Sequence, residues 1–222
     1  MMGFDFTFHG AQLTALGHRA VWWASQRTLV VSDLHLGKSE RHARRGGAAL
    51  PPYEGRDTLE RLRALTDRLD PSTVICLGDS FDDDRAAGAL ITEERELLAA
   101  LPKGRRWVWI EGNHDPSPPA FGGEALSKLT LGPLTFRHIA TDQSGEVSGH
   151  YHPKVVVRHQ SRPAFLVDRD RLILPAFGTY TGGLRATDPV LQDLMRPDAI
   201  AILCGPRALP CPMPRIKPHA RR

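Results

Sequence analysis

Three apolar runs that each lead into a polar cluster constrain this 222-residue chain more than any other feature. Leu29-Val30-Val31-Ser32 leads into Asp33-Leu34-His35, and Val74-Ile75-Cys76-Leu77 into Gly78-Asp79-Ser80-Phe81-Asp82. Trp107-Val108-Trp109-Ile110 leads, one residue later, into Gly112-Asn113-His114-Asp115. Such continuous apolar runs suit strands covered on both faces, since successive side chains point to opposite sides. Between the first and second runs, Leu59, Leu62, Leu65 and Leu69 recur at helical spacing, with Asp57 as a candidate cap and Pro71 as the stop. A second helix is predicted over 84–101, capped by Asp84, interrupted in its pattern at Gly88 and ended by Pro102. Strand, helix, strand, helix, strand is an α/β rhythm, and in such sheets ligands collect where the strands end.

The second half reads differently. Leu134–Phe136, Glu146–Ser148 and residues 154–159, 164–167 and 171–174 are short strand candidates divided by turns. A late helix at 188–195 and a last strand at 201–204 complete the reading, with a further strand at 21–24 ahead of the first run and a loop at 46–52. A β-rich half packing its sheet on the first half makes one domain over 1–205, which a chain of this length can fill with a single core. Residues 206–222 hold Pro206, Pro210, Pro212, Pro214 and Pro218 beside Arg215, Lys217, Arg221 and Arg222, and are expected to be an extended, solvated tail.

Composition narrows the classes. Hydrophobic residues are 41% and charged residues 24%, and no apolar run approaches a membrane span. The start, with Asp5 and no basic-then-apolar pattern, predicts no secretory signal. Cys76, Cys204 and Cys211 are odd in number and lack metal-ligand spacing, which suits a reducing cytoplasm. A net charge of +4 helps a polyanion approach without by itself arguing for nucleic acid.

Carboxylates, imidazoles and an amide oxygen are ligands for Mn, Fe or Zn. Asp33 and His35 alternate along an extended backbone, so both side chains could clasp one cation; a turn aspartate beside a surface histidine is the alternative. Asp79, after Gly78, could bridge two cations or close an Asx turn. Asn113 would ligate without adding charge. His114 is placed to reach substrate, donating a proton to a leaving oxygen or stabilising phosphoryl charge, with Asp115 suited to orient its ring. His150 and His152, two apart after Gly149, could serve one cation each, and His138 would complete the second site. Asp82 is the acidic residue placed to support these ligands, while Asp83 and Asp84 suit a helix N-terminus. The basic residues Lys38, Arg41, Arg44 and Arg45 offer phosphate contacts or simply a solvated loop.

In their order, Asp-x-His, Gly-Asp-x-x-Asp, Gly-Asn-His-Asp, His and Gly-His-x-His, these blocks resemble the calcineurin-like metallophosphoesterase superfamily. The resemblance implies a four-layer α/β fold with a central β-sandwich flanked by helices. It implies two divalent metal ions, one held by Asp33, His35, Asp79 and His152, the other by Asp79, Asn113, His138 and His150, with His114 and its partner Asp115 catalytic. Residues 33–38, Leu50-Pro51-Pro52-Tyr53, 77–81, Arg137-His138 and 174–184 are similar to the bacterial DNA-ligase-associated metallophosphoesterases, a group of DNA-repair endonucleases. Where that group has His-Asp after Gly-Asp-Ser-Phe, this chain has Asp82-Asp83. The implied function is hydrolysis of phosphodiester bonds in DNA or RNA with manganese, beside a DNA ligase and a helicase. A phosphomonoesterase or nucleotide pyrophosphatase on a small metabolite is the alternative enzyme. A non-catalytic scaffold would have lost some ligands, and a structural metal site would be richer in cysteine.

Overall fold

The computed structural model describes residues 3–47, 51, 53–83, 85–115 and 121–216. Its first sheet holds β1 (Phe4–Phe8), β2 (Ala11–Leu16), β3 (Ala20–Trp23), β4 (Thr28–Val31), β5 (Thr73–Leu77), β6 (Arg106–Ile110) and β7 (Glu124–Leu126), in chain order. Pairing is antiparallel up to β4 and parallel from β4 to β7. Among the described residues, four α-helices fall within this half: α1 (Lys38–Arg44), α2 (Glu54–Leu69), α3 (Ala86–Ala89) and α4 (Thr92–Ala100).

The second sheet is built from β8 (Leu129–Leu131), β9 (Leu134–Phe136), β10 (Glu146–Ser148), β11 (Lys154–Val157), β12 (Gln160–Val167), β13 (Arg171–Ile173), β14 (Ile200–Leu203) and β15 (Leu209–Pro212), with α5 (Pro189–Leu194) against it. Its order is β15-β14-β12-β13-β10-β9-β8, and β11 pairs β12. Here β9, β10 and β13 run parallel.

Alternation within the apolar runs divides the core. Val30, Ile75, Leu77, Val108 and Ile110 meet Phe136, Val147, Phe165, Leu172 and Ile202 between the sheets. Their neighbours Leu29, Val31, Val74, Cys76, Trp107 and Trp109 pack outward on Leu59, Leu62, Leu65 and Leu98 of the helices. Leu166, Ile173, Ala201 and Leu203 turn to the other outer face, under Leu191 and Met195. Helix, sheet, sheet, helix is the expected four-layer arrangement.

Several local expectations change. The hairpin β1–β2 was not anticipated, although Phe4, Phe6 and Phe8 alternate with Asp5 and Thr7, and His9 and Gly10 take the positive φ of a two-residue turn. Lys38, Arg41 and Arg44 lie on helix α1 and not in a loop. Asp57 does not cap α2: Tyr53 is its cap residue, and Asp57 bonds Arg61 and Thr179 from the first turn. The single helix expected over 84–101 is two, broken where Leu90 leaves helical geometry. The tail is also different: β15 pairs with β14, Met213 is buried, and Arg215 donates to Met195 O at 3.2 Å, so the sheet runs through residues assigned to a solvated end. Asp84, Leu50, Pro52, Pro116, Lys217, Pro218, Arg221 and Arg222 lie outside the described residues.

Candidate metal centre

Parallel pairing of β4, β5 and β6 sets their carboxyl ends side by side, and the loops beyond them zip together. Asp33 N donates to Gly78 O at 3.3 Å, His35 N to Asp79 O at 3.0 Å and Leu36 N to Ser80 O at 2.9 Å. The second sheet adds His138 after β9 and His150 and His152 after β10. Its docking is direct: His138 Nδ1 donates to Leu77 O at 2.8 Å, and His150 N to Asp33 Oδ2 at 3.0 Å. Gly78 is required where it stands, because a Cβ there would lie 2.5 Å from the His138 ring.

Asp33, His35, Asp79, His150 and His152 all have positive φ, between 45° and 69°. Neither Asp33 with His35 nor His150 with His152 is therefore aimed by the extended alternation expected from sequence. Left-handed backbone costs a non-glycine residue of order 1 kcal/mol or more, and it is tolerated where surrounding bonds over-determine it, most often at functional sites.

The side chains converge in two groups. Asp33 Oδ1 lies 3.1 Å from His152 Nε2, which lies 3.3 Å from His35 Nε2. His138 Nε2 lies 2.9 Å from Asn113 Oδ1, 3.4 Å from Asp79 Oδ1 and 3.2 Å from His150 Nδ1. Asp79 joins the two, since its Oδ2 is 4.0 Å from His35 Nε2. Tautomers follow from what stands behind the rings. A carbonyl oxygen only accepts, so His138 carries its proton on Nδ1 and presents Nε2 to the cluster. His35 Nδ1 is 2.9 Å from Asp82 Oδ1, which likewise leaves Nε2 facing inward. Lone pairs on nitrogen and oxygen so close repel one another unless a proton or a cation sits among them, and this donor set fits two divalent metal ions.

Electrostatics agree. Burial alone would lower the His138 imidazole, but its contact with Asp79 and the charge of Asp33 bring it up to about 9. Burial would raise Asp79, yet His138 and the His114 amide bring it down to about 2. Asp33 is also held low: burial opposes this, but His152, His138 and His35 outweigh it. Burial and the neighbouring His138 push His150 downward.

Asp115 does not do what its position suggests. It is turned inward, with Oδ2 accepting from Ser80 N at 2.8 Å and Phe81 N at 3.1 Å. The reason is that the turn after Asp79 leaves two buried amides needing an acceptor. His114 instead donates from Nδ1 to Asp82 O at 2.9 Å, which leaves its Nε2 free, 4.0 Å from Asp79 Oδ2. Asp82 thus serves the site twice, through its carboxylate on His35 and its carbonyl on His114. Ser32, which donates to Asp33 Oδ2, was not among the candidates; a serine closing an apolar strand carries no signal of its own.

The basic residues divide. Arg41 Nη1 is 2.8 Å from Asp82 Oδ2, and Arg44 Nη2 is 2.7 Å from Asp83 Oδ2, so both guanidiniums are tied to carboxylates. Lys38 Nζ lies 3.8 Å from Asp82 Oδ1 at the edge of the cluster, and Arg45 is exposed at the end of α1. Beside the second ligand group opens a pocket of about 330 Å³, lined by Glu111, Asn113, Ser127, Arg137, His138 and Ile139. Among the described residues no helix is long and apolar enough to cross a membrane.

Comparison with known proteins agrees with this geometry. The family model for calcineurin-like phosphoesterases matches residues 26–204. Among solved structures, the crystal structure of the nuclease MPE of Pseudomonas putida is similar at 28% sequence identity and a TM-score of 0.76, covering 94% of this chain and 100% of that one. No curated protein sequence matches the chain. A match spanning both ligand groups and both sheets means that the chain belongs to the calcineurin-like phosphoesterase family, whose members use a dinuclear metal centre, and is a metal-dependent phosphoesterase.

Proposed function

We propose that the chain is a phosphodiesterase that cuts DNA or RNA in the service of DNA repair, in the cytoplasm, with two manganese ions. The observation that carries this reading is the end-to-end likeness to a nuclease. The open pocket beside the ligands suits a polymer better than a closed cavity would. A DNA ligase and a helicase are the partners this reading implies.

Asp33, His35, Asp79 and His152 would hold one ion, and Asp79, Asn113, His138 and His150 the other. Bound there, two divalent ions would supply charge to hold the phosphate and to acidify an attacking water. His114 keeps its Nδ1 proton on the Asp82 carbonyl, so Nε2 is the atom that faces the leaving oxygen, and the imidazolium form of the ring would give it the Nε2 proton and return to neutral imidazole. Asp115 staples the Gly112-Asn113-His114 turn to the turn after Asp79 and thereby positions both Asn113 and His114. Lys38 and Arg45 are the cations for flanking phosphates, while Arg41 and Arg44 keep Asp82 and Asp83 in place.

Metal-stripped protein reloaded with manganese should hydrolyse bis-p-nitrophenyl phosphate and a single-stranded oligonucleotide. His114→Ala should lose roughly 10²- to 10⁴-fold in turnover while binding the same number of ions. Cleavage of p-nitrophenyl phosphate alone would replace the nuclease with a small-molecule phosphatase, and metal loss in His114→Ala would make that residue a ligand.

A further inference from the structure

The segment from Phe177 to Gly183 takes no part in the chemistry above, yet both its ends rest on the first ligand group. Gly178 N donates to Asp33 O at 3.1 Å, and Leu184 N to Tyr151 O at 3.1 Å. A Cβ on Gly183 would strike the His152 carbonyl oxygen. Between these ends the segment is held along one face of α2. Thr179 bonds Thr58 and Asp57, and Arg61 Nη2 donates to Phe177 O and to Thr179 Oγ1, each at 2.9 Å. Lys154 Nζ secures Thr181 O at 3.0 Å from the other side.

Tyr180 sits in the middle of this pinned segment, half-buried, with its ring centroid 5.9 Å from that of Tyr53 and the planes tilted by 58°. Tyr53 precedes Asp57 by four residues and Arg61 by eight, so it continues the face that holds the segment. It nevertheless leaves 55% of its surface in water, more than packing would require. The next residue, Glu54, accepts from Ser39 N at 2.8 Å, which fixes the start of α2 against the start of α1. Lys38 stands there, and Asp82 links it to His35. Two aromatic rings and one cation therefore lie on segments that are tied, through Glu54, Ser39 and Gly178, to those that carry Asp33, His35 and Asp82.

We propose that Tyr53 and Tyr180 form a stacking platform for an unpaired nucleobase next to the scissile phosphodiester. The proposal rests on the nuclease reading. Every base has a π face, so the platform is indifferent to sequence, and a base inside a duplex must first leave its stack to use it. Hydrogen bonds on Phe177, Thr179 and Thr181 prepay the ordering of the platform.

The test is a comparison of oligonucleotides with and without bases flanking the cleavage point, using the manganese-loaded enzyme and the variants Tyr53→Ala and Tyr180→Ala. With bases present, each variant should raise KM by roughly 5- to 150-fold, and Tyr→Phe at either position should restore it. On the abasic oligonucleotide the variants should match the wild type. An equal loss on both substrates would make the tyrosines mere structural braces and overturn the proposal, as would no loss on either. Tyr53→Leu and Tyr180→Leu, which keep apolar bulk without a flat ring, should behave like the alanine variants; leucine restoring KM would also overturn it. Wild-type enzyme that cleaves bis-p-nitrophenyl phosphate but no oligonucleotide would defeat the nuclease reading, and this proposal with it.

Discussion

At the scale of single residues, the candidate centre is governed by what stands behind each donor side chain. Leu77 O holds one proton of His138, and the Asp82 carboxylate faces the outer nitrogen of His35, so both rings turn Nε2 inward. Asp82→Asn should therefore weaken metal binding roughly 10- to 100-fold, read by competition with a chelator, because an amide makes a poorer anchor than a carboxylate for that imidazole. Unchanged affinity would mean that His35 needs no charge behind it. Asp79→Ala should cost both ions, counted by elemental analysis, since Asp79 lies between the two groups. Retention of two ions with full activity would remove Asp79 from its bridging place. The acidic pair Asp82-Asp83 keeps these supports while recruiting Arg41 and Arg44 as its counter-charges.

At the scale of elements, β5 and α2 carry the most. The strand delivers Asp79 and pairs on both sides with strands that also end in candidate ligands. The helix covers the outer face of the first sheet with Leu59, Leu62 and Leu65, while its other face holds the segment around Thr179. Leu62 is fully buried, and Leu62→Ala should destabilise the protein by about 2–5 kcal/mol in denaturant unfolding, through lost burial and a residual cavity. A cost below about 1 kcal/mol would show that the helix layer closes over the gap. Helix α2 was readable from its leucine spacing. Helix α1 was not, because Lys38–Arg44 has no apolar stripe; its Ser39 is held by Glu54 across fifteen residues of chain.

At the scale of the whole molecule, the centre is a seam between two sheets, and without metal that seam is tied by charge. Asp79, held down to about 2 against an ordinary 3.8, stabilises the fold above about pH 4 and loses this as pH falls through about 2. His138, raised to about 9 against 6.5, stabilises it below pH 6.5 and loses this as pH rises through about 9. Burial, reinforced by Asp79, brings Asp115 up to about 7, so its contribution is also lost as pH rises through that value. The melting temperature of metal-free protein should fall by on the order of 5 °C between pH 5 and pH 9. Manganese should stabilise more strongly as pH rises, because the ion held by Asp79, Asn113, His138 and His150 would have to displace the His138 proton. A flat metal-free profile would mean that the His138–Asp79 pair does not bind the sheets together. Ligand chemistry, and the strands β4, β5 and β6 that carry it, were present in the chain itself, because an apolar run followed by Gly-Asp or Gly-Asn-His is a local pattern. The roles of Asp115 and Asp82, the strand at Leu209–Pro212 and the contact between the rings of Tyr53 and Tyr180 came from folding alone. Each depends on a buried amide, an imidazole or a sheet edge finding its partner far along the chain, as His150 finds Asp33 across 117 residues, and such pairings are set by how the two sheets meet.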